Sequence, residues 1–501
     1  MDLKSADILS LFEQSLAQTS SEFAEVGTVI TVGDAHCVCY GLTRVVYGEL
    51  VEFDGGNKGI VFDLDEDAVT IFLLYSHIPV AERELVKRTG TVFKIPVGNS
   101  MLGRIIDATA HPIDGLGQIE GAELRPIETV IPGIIERTPI NRSLETGILA
   151  IDALVPIGRG QRELVIGNRS TGKTALILDT LLHQKGKDVI CVYVSIGQRQ
   201  ANLARLAHTL QMHGALEYTV IVSADASEPA LDKYLAPYVG CTIAEYFKDQ
   251  KKDVLVMYDD LTSHAIAYRE MSLLMRRSPG REAFPGDVFY LHSRLLERAG
   301  KFITGGSITA LPIAEVQSDD ITAYIPTNLI SITDGQIFLD TKLFNSGVRP
   351  AINVELSVSR VGGAAQTRAM RKMVSALKME LAQYHELLAF SQFGSELDAV
   401  SQQRLARGAR IVELLKQQQY ATLSFVDQAL MLFLLKNAFL DAIKVDHVRE
   451  FALQFAAYIR LSYSGLYQTI ETTGDIADEM LKELTTYAKE FSLVYTPITL
   501  E

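Results

Sequence analysis

The sequence has few cysteines, no excess of positive charge and no long apolar run. Its four cysteines among 501 residues are too few and too scattered for a disulfide scaffold or a four-ligand zinc site, and they favour a reducing compartment. The 47 lysines and arginines are outnumbered by 61 aspartates and glutamates. Because a net charge of -14 repels a polyphosphate backbone, the composition argues against a dedicated nucleic-acid binder.

No apolar run approaches the roughly 20 residues that a membrane-spanning helix needs. The most apolar stretches, residues 68–75 and 429–435, are far shorter. Residues 1–20 also lack the basic start and the apolar block of a secretory signal. We therefore expect a cytoplasmic chain that meets a membrane only through partners.

The length allows about three domains at roughly 150 residues each, and a hydrophobic content of 48% is enough for packed cores. Residues 1–25 place apolar side chains at steps of three and four, which predicts a short amphipathic docking helix. These side chains are Ile8, Leu9, Phe12 and Leu16. Residues 26–93 change to short β-rich runs separated by turns, which predicts a small closed β-barrel.

Two cysteines and a histidine in the predicted barrel could suggest a metal site. If this segment is a strand, Cys37 and Cys39 share one face and His36 points the other way. Packing of the two thiols inside the barrel is therefore favoured over metal binding.

The remaining chain changes from a mixed to a purely helical pattern. Residues 94–366 alternate apolar strands with helical stretches, which is typical of a mainly parallel sheet covered on both faces. The buried strand candidates are residues 163–166, 189–196, 219–223 and 254–258. Residues 367–501 lose the β signal and repeat apolar residues at helical spacing, which predicts a C-terminal helical bundle. The repeat begins with Met370, Met373, Val374, Leu377, Leu381, Tyr384 and Leu388.

The strongest chemical signal is a glycine-rich loop between a strand and a helix. The loop, residues 167–174, directly follows the apolar strand 163–166 and opens the predicted helix 175–184, as a P-loop requires. Its glycines let backbone N–H groups curl around phosphate oxygens at a helix N-terminus. The candidate residues for binding ATP or ADP are Gly167, Asn168, Arg169, Ser170, Thr171, Gly172, Lys173 and Thr174. Lys173 would hold the β- and γ-phosphates, and Thr174 would bind Mg²⁺.

A second polar pair follows the apolar strand 254–258. Two aspartates at a strand end are by themselves more typical of a helix N-cap than of a metal site. With a P-loop upstream, Asp259 is predicted to lie in the outer shell of the Mg²⁺ ion, and Asp260 is left as a candidate cap of the helix 262–276.

Cleavage of a phosphoanhydride also needs a group that polarises the attacking water, usually a carboxylate at the end of a neighbouring strand. The strand 189–196 ends in Gly197 and Gln198. An amide can hydrogen-bond a water or a hydrated Mg²⁺, but it cannot accept the proton as a carboxylate does. The sequence therefore predicts a site that holds nucleotide without turning it over.

Six segments closely resemble the α subunits of F-type ATP synthases. They are residues 156–174, 258–261, 279–298, 324–328, 332–338 and 357–366. The resemblance extends over essentially the whole chain. It implies a multidomain protein with an N-terminal β-barrel, a central α/β P-loop domain of the RecA-like type and a C-terminal α-helical bundle. Gly197 and Gln198 stand where the catalytic β subunit has Gly-Glu, which implies the non-catalytic partner.

The resemblance also assigns roles that the residues alone do not. An arginine in the context of Arg360 is ordinarily an ion-pair residue, but here it matches an arginine finger that reaches into a neighbouring subunit's catalytic site. Ser357 matches a position needed for activity, and Ser331 matches one at the catalytic interface. Arg169 and Gln198 are assigned to the phosphate and Mg²⁺ region. The adenine pocket would be formed by Phe344, Arg349, Pro350, Gln417 and Gln419.

The resemblance further implies a set of partners. These are catalytic β subunits that alternate with α in a ring of three each, a central γ shaft, and a δ subunit with the peripheral stalk bound through the N-terminal helix. Membrane contact would be made only through the Fo sector, on the cytoplasmic side of a bacterial inner membrane. The coupling ion, a proton or sodium, is left open.

Seven positions depart from the family pattern. Asn168 stands where Asp is usual, Ser170 where Gln is usual, and residues 262–264 replace Ser-Lys-Gln by Thr-Ser-His. Asp319 and Glu355 each stand where Gly is common, and Glu355 could bias the position of the finger electrostatically. A divergent, second copy of the subunit is one hypothesis for these changes.

Two other classes of protein are alternatives to a synthase subunit. A self-sufficient hexameric motor could be an export ATPase, which Gln198 disfavours, or an RNA-translocating helicase, which the charge of -14 disfavours. A scaffold that binds no nucleotide is disfavoured by the complete set of Lys173, Thr174 and Asp259.

Overall fold

A computed structural model gives the structure of residues 25–74, 79–391 and 398–495. Residues 1–24, and with them the predicted docking helix, lie outside the described residues. The barrel forms the core of one compact unit, and the central sheet together with the C-terminal helices forms a second.

The N-terminal unit is a closed barrel of six antiparallel strands, as the sequence predicts. Its strands are β1 Val26–Val32, β2 His36–Tyr40, β3 Glu49–Phe53, β4 Lys58–Leu64, β5 Val69–Leu73 and β6 Leu85–Val92. Cys37 and Cys39 are fully buried in the barrel core, and His36 lies on the other face of β2. Their predicted packing role is confirmed.

A nine-stranded sheet forms the centre of the second unit. Its strands and the small accessory strands are β7 Lys94–Val97, β8 Ile105–Asp107, β9 Glu123–Pro126, β10 Ser143–Leu144, β11 Ile157–Gly158, β12 Leu164–Asn168, β13 Val189–Gln198, β14 Thr219–Asp225, β15 Asp253–Asp259, β16 Gly300–Lys301, β17 Ser307–Val316, β18 Gly335–Leu339 and β19 Val358–Ser359. The sheet order is β19-β18-β12-β17-β15-β13-β14-β8, with β16 beside β17. The strands from β18 to β8 are parallel, so their carboxyl ends share one edge.

Helices connect the strands of the sheet. They are α1 Leu149–Leu154, α2 Lys173–Leu182, α3 Gln200–Met212, α4 Ala230–Asp249, α5 Leu261–Leu274, α6 Val288–Leu296, α7 Tyr324–Ile332, α8 Thr341–Asn345 and α9 Gly362–Ala365. The four predicted strands and the helix after the P-loop are all present, with ends that differ by a few residues. Apolar strands alternating with helices therefore indicated the correct α/β class.

Among the described residues after the sheet, seven α-helices share a hydrophobic core with it. They are α10 Arg368–Val374, α11 Leu377–Ser391, α12 Ala399–Leu415, α13 Phe425–Lys436, α14 Val448–Ser462, α15 Ser464–Thr473 and α16 Asp478–Val494. Met370, Met373, Leu377 and Leu381 are buried in a hydrophobic core that continues into the sheet, whereas Leu388 is exposed. The predicted fold class is confirmed, and the boundaries at residues 93 and 366 stay predictions. In the described ranges, no helix combines the length and apolar character needed to cross a bilayer.

A glycine sets the approach of two C-terminal helices. Gly408 on α12 is buried, and a methyl group added at its Cα would overlap the base of the Tyr384 ring on α11. Because that part of the ring cannot swing away, Gly408→Ala is expected to destabilise the full-length chain by about 1–3 kcal/mol. Thermal unfolding of the purified chain measures the effect.

Gly465 on α15 provides a matched control. It also lies in a helix, but an added methyl group meets nothing within 4 Å. Gly465→Ala is expected to be neutral or to stabilise by up to about 1 kcal/mol. Equal effects of the two substitutions would contradict close packing at Gly408.

Candidate nucleotide site

The P-loop has the backbone shape that its glycines predict. It joins β12 to α2, with Gly172 in the left-handed region at φ 100° and Ser170 at φ 63°. At Gly167, an added Cβ would lie 2.8 Å from the carbonyl oxygen of Leu339 on β18. Glycine is therefore required at position 167 by the close approach of two strands and at position 172 by the backbone conformation.

Lys173, the first residue of α2, folds back over its own loop. Its Nζ donates hydrogen bonds to the carbonyl oxygens of Gly167 at 2.9 Å and Asn168 at 2.5 Å. Burial lowers the pKa of the Lys173 ammonium, and the negative charges of Glu315 and Asp260 act in the opposite direction. The arrangement holds a positive charge at the centre of the loop, where phosphate oxygens would replace the carbonyl contacts.

The next residue of α2 meets the end of β15. Thr174 donates from Oγ1 to Oδ2 of Asp259 at 2.9 Å, and the buried Tyr193 hydroxyl donates to the same oxygen at 2.7 Å. Gln198 lies at the end of β13, where its Nε2 is 3.4 Å from Oδ1 of Asp259. The structure therefore brings together Thr174, Asp259 and Gln198 as predicted, and it adds Tyr193.

This donor set fits Mg²⁺. Burial raises the pKa of Asp259, and the hydrogen bonds from Tyr193 and Thr174 only partly offset that cost. A divalent cation would stabilise the buried carboxylate further. One carboxylate and one hydroxyl, completed by waters and phosphate oxygens, are typical of Mg²⁺ sites that bind through a nucleotide. In the part of the chain that the structure describes, no group of three or more acidic, histidine or cysteine side chains is placed to hold a metal.

Asp260 has the structural role that the sequence left open. Its Oδ1 accepts the backbone N–H of Ser263 at 2.6 Å and so caps α5. Burial and the neighbouring Asp259 raise the pKa of Asp260 to about 7. The two adjacent aspartates thus divide the roles, one facing the P-loop and the other capping a helix.

A cavity of about 560 Å³ extends from the P-loop to the C-terminal helices. Of the predicted adenine-pocket residues, Phe344, Arg349, Pro350, Gln417 and Gln419 all line it. The Arg349 guanidinium carbon lies 4.4 Å from the centre of the Phe344 ring, which gives one wall a flat, cationic surface. Such a surface suits a planar heteroaromatic base.

Gln417 is less available than its place in the pocket suggests. Its Oε1 accepts the backbone N–H of Leu149 at 3.1 Å, and its Nε2 donates to the carbonyls of Gly147 at 2.8 Å and Ala421 at 2.7 Å. The amide therefore fixes the loop after α12. The exposed neighbours Gln418 and Gln419 also line the cavity and keep their side chains at its surface.

The residues predicted to act on a neighbouring subunit form a separate group around β18 and β19. Arg360 is exposed, its backbone N–H donates to Asp334 O at 2.9 Å, and its guanidinium reaches Thr333 O only at 3.5 Å. Ser357 is fully buried, and its hydroxyl donates to Asn353 O at 2.6 Å and accepts the N–H of Phe338 at 2.9 Å.

Ser357 therefore holds the segment that presents Arg360, and its buried hydroxyl is used within the chain. Ser331 is exposed at the end of α7, two residues before the Thr333 carbonyl that contacts Arg360. Of these three residues, Arg360 and Ser331 have exposed side chains and Ser357 does not.

Sequence reasoning missed several side chains of the site. Tyr193 lies inside an apolar strand, so the pattern indicated only core packing. Glu315 is one residue from the end of β17 and acts on the charge of Lys173, and its polarity within an apolar strand was the available signal. Asp179 lines the cavity and accepts the N–H of Tyr420 at 2.9 Å, and burial raises its pKa to about 6. Arg449 joins the cavity from α14, too far along the chain for any local pattern.

The departures from the family pattern have different surroundings. Thr262 accepts the N–H of Glu315 through Oγ1 at 2.9 Å. His264 is fully buried with its Nδ1 3.2 Å from Nε2 of His292, and burial lowers its pKa to about 4. Ser170 and Glu355 are exposed, and nothing in the structure explains their identity.

Comparisons with known proteins identify the family of the chain. Family models of the ATP synthase alpha/beta family match residues 22–90 as its β-barrel domain, 147–359 as its nucleotide-binding domain and 366–491 as its C-terminal domain. The ATP synthase subunit alpha of Acetivibrio thermocellus is 51% identical over 501 residues, which cover 99% of both chains. That of Lawsonia intracellularis is 49% identical over 503 residues, again with 99% of both chains covered. The chain belongs to the ATP synthase α-subunit family.

Membership of the family supports ATP or ADP as the ligand of the site, because the matched model is that of a nucleotide-binding domain. It also accounts for the order of the three predicted parts, barrel, sheet and helices. The Mg²⁺ ion and the roles of individual residues rest on the sequence motifs and on the geometry of the site.

The metal corner can be tested at Asp259. Asp259→Asn keeps the shape but removes the charge, so we expect the affinity for Mg-ATP to fall about 10- to 100-fold. The affinity for ATP measured with a chelator should change much less. Equilibrium titration of the purified chain measures both values.

Asp260→Asn is the matched control, because the new side chain can still accept the Ser263 N–H and cap α5. It is expected to leave the magnesium dependence of ATP binding unchanged. If Asp259→Asn lowered the affinity for ATP equally with and without Mg²⁺, the proposed metal role of Asp259 would be contradicted.

Proposed function

We propose that this chain is the non-catalytic α subunit of a rotary F-type ATP synthase. It holds Mg-ATP or Mg-ADP in its own site and supplies Arg360 to the catalytic site of an adjoining β subunit, where ATP is made from ADP and phosphate with a transmembrane ion gradient. The observation that carries the proposal is the combination of a complete Lys173, Thr174 and Asp259 set with an amide, Gln198, at the neighbouring strand end.

The chain's own residues bind the nucleotide from both ends. Lys173 and the backbone N–H groups at the start of α2 contact the phosphates, and Phe344 with Arg349 forms a wall of the base pocket. Thr174 and Asp259 would hold Mg²⁺, which would neutralise charge on the phosphates. Gln198 points its amide nitrogen towards Asp259, and an amide cannot take a proton from water.

The surroundings of Arg360 support its action on another subunit. Its side chain is exposed, and the buried hydroxyl of Ser357 and the carbonyl of Asp334 fix the backbone beneath it. A guanidinium fork on a fixed backbone can stabilise the charge that develops on a transferring phosphoryl group. The finger would therefore complete a catalytic site that the partner subunit provides.

An exposed apolar segment supports assembly with other chains. Val130, Ile134 and Ile135 are 94%, 88% and 85% exposed. Isolated exposed aliphatic side chains are ordinary, but a cluster of them marks an interaction surface. The proposed partners are three β subunits alternating with three α, the γ shaft, and the δ subunit with the peripheral stalk through residues 1–25. The proposed location is the cytoplasmic face of a bacterial inner membrane, with membrane contact through Fo.

One observation favours a second candidate, a self-sufficient hexameric motor. Glu315 is a carboxylate at the same sheet edge, close enough to act on the charge of Lys173. A motor that cleaves its own nucleotide would need such a group. The α-subunit role is favoured because Gln198, an amide, occupies the usual position of the general base.

The finger is tested with Arg360→Lys in a reconstituted complex. The change keeps the positive charge but loses the fork, so turnover is expected to fall at least about 100-fold. Assembly and nucleotide binding by the α site should be retained. Size-exclusion chromatography, nucleotide titration and steady-state hydrolysis measure the three properties.

Arg404→Lys serves as the control for an exposed arginine on α12. A complex that carries Arg404→Lys is expected to hydrolyse ATP at the wild-type rate. Near-normal turnover of the Arg360→Lys complex would refute the finger role and leave Arg360 as an ordinary surface arginine.

A further inference from the structure

Three polar side chains close a hydrogen-bonded ring beside the P-loop. Asn168 accepts the backbone N–H of Asp319 through Oδ1 at 2.9 Å and donates through Nδ2 to Oγ1 of Thr341 at 2.8 Å. The Thr341 hydroxyl donates its one proton to Oδ1 of Asp319 at 3.0 Å. Asn168 ends β12, Asp319 follows β17 and Thr341 begins α8. The ring therefore ties the start of the P-loop to two other segments.

The ring requires an amide at position 168. Asn168 supplies one acceptor and one donor, and a carboxylate has no donor to give. With Asp at this position, the single Thr341 proton would have to serve one of two carboxylates. The second carboxylate would then face the first across one hydroxyl, and like charges disfavour each other. Positions 168 and 319 can therefore hold one carboxylate between them.

The backbone at position 319 explains why a side chain there needs partners. Asp319 has φ 58°, in the left-handed region that favours glycine and that Asp and Asn enter more readily than most residues. The hydrogen bonds to Asn168 and Thr341 offset this cost. Asn168 and Asp319 are both departures from the family pattern, and the ring gives a physical reason for finding them together.

The ring touches both ends of the nucleotide site. At the phosphate end, the carbonyl oxygen of Asn168 accepts the hydrogen bond from Lys173 Nζ at 2.5 Å. At the base end, Thr341 opens the helix α8 that carries Phe344, whose ring lies against Arg349 in the cavity. A shift of the ring would therefore move the lysine contact and the base wall relative to each other.

We propose that Asp319 is a positioning residue of the nucleotide site. It carries the negative charge that position 168 lacks and, through Asn168 and Thr341, fixes the P-loop relative to the base pocket. The proposal rests on the nucleotide site proposed above.

A double-mutant cycle in the full-length chain tests the pair, with Asn168→Asp, Asp319→Gly and the two combined. Asn168→Asp alone is expected to weaken binding of Mg-ATP about tenfold and to lower the Tm measured without nucleotide, because it sets two carboxylates on one hydroxyl. Asp319→Gly alone is expected to weaken Mg-ATP binding by about threefold, because the negative charge and the Thr341 hydrogen bond are lost while the backbone N–H bond to Asn168 remains and glycine suits the backbone. The combined variant is expected to recover most of both losses.

Asp320→Asn in the Asn168→Asp background is the matched control. Asp320 is an exposed carboxylate on the adjacent residue, outside the ring. Its neutralisation should rescue neither binding nor Tm, because the effect depends on the ring and not on net charge. The proposal would be overturned if Asp320→Asn restored Mg-ATP affinity or Tm. It would also be overturned if Asn168→Asp lowered both by the same amount with and without Asp319→Gly.

The same experiment separates the two levels of the interpretation. If the wild-type chain binds no Mg-ATP, the proposed nucleotide site fails, and the role of Asp319 in it fails as well. The Tm cycle without nucleotide still reports whether positions 168 and 319 are coupled. The two substitutions could instead affect each other in Tm but not in Mg-ATP affinity. That result would give the ring a purely structural role and would overturn the proposal that Asp319 positions the nucleotide site.

Discussion

Parallel pairing of β12, β17, β15 and β13 fixes the place of the polar groups beside the P-loop. All four strands end at one edge of the sheet, so residues far apart in sequence meet there. Thr174 and Asp259 are 85 positions apart and are joined by a 2.9 Å hydrogen bond. A slip of one residue in the pairing of β15 would turn Asp259 to the other face of the sheet. The apolar interiors of the strands make such a slip costly and so hold the site.

The same edge carries charges that are unfavourable without a ligand. Burial raises the pKa of Asp259 and Asp260 and lowers the pKa of Lys173, so the charged forms of all three are disfavoured. Groups perturbed by burial and by each other are typical of functional sites. Triphosphate and Mg²⁺ would supply the opposite charges that these groups lack. The site is therefore built to be stabilised by its ligand, and the stability of the fold comes from the continuous core of sheet and helices.

The sequence predicted the parts of the site that have a local signature. The P-loop, the strand end at Asp259 and the helix cap at Asp260 each follow from a short pattern on one element. Tyr193, Asp179 and Arg449 could not be predicted in this way, because their position at the site depends on how distant elements pack. Gln417 shows the reverse case: its place in the pocket was implied, but its amide is used by backbone groups that only the folded chain brings near. The ring of Asn168, Asp319 and Thr341 likewise spans three elements. The sequence marked Asn168 and Asp319 as separate departures from the family pattern, but it did not indicate that they are in contact.

The proposed function depends on a site that binds a triphosphate and does not cleave it. The most direct measurement is ATP binding and phosphate release by the purified chain, free of any other subunit, in the presence of Mg²⁺. The account predicts saturable binding with phosphate release no faster than in a Lys173→Ala control. Rapid, steady release that depends on Lys173 would contradict it, and Glu315→Gln would then show whether that carboxylate is the missing base.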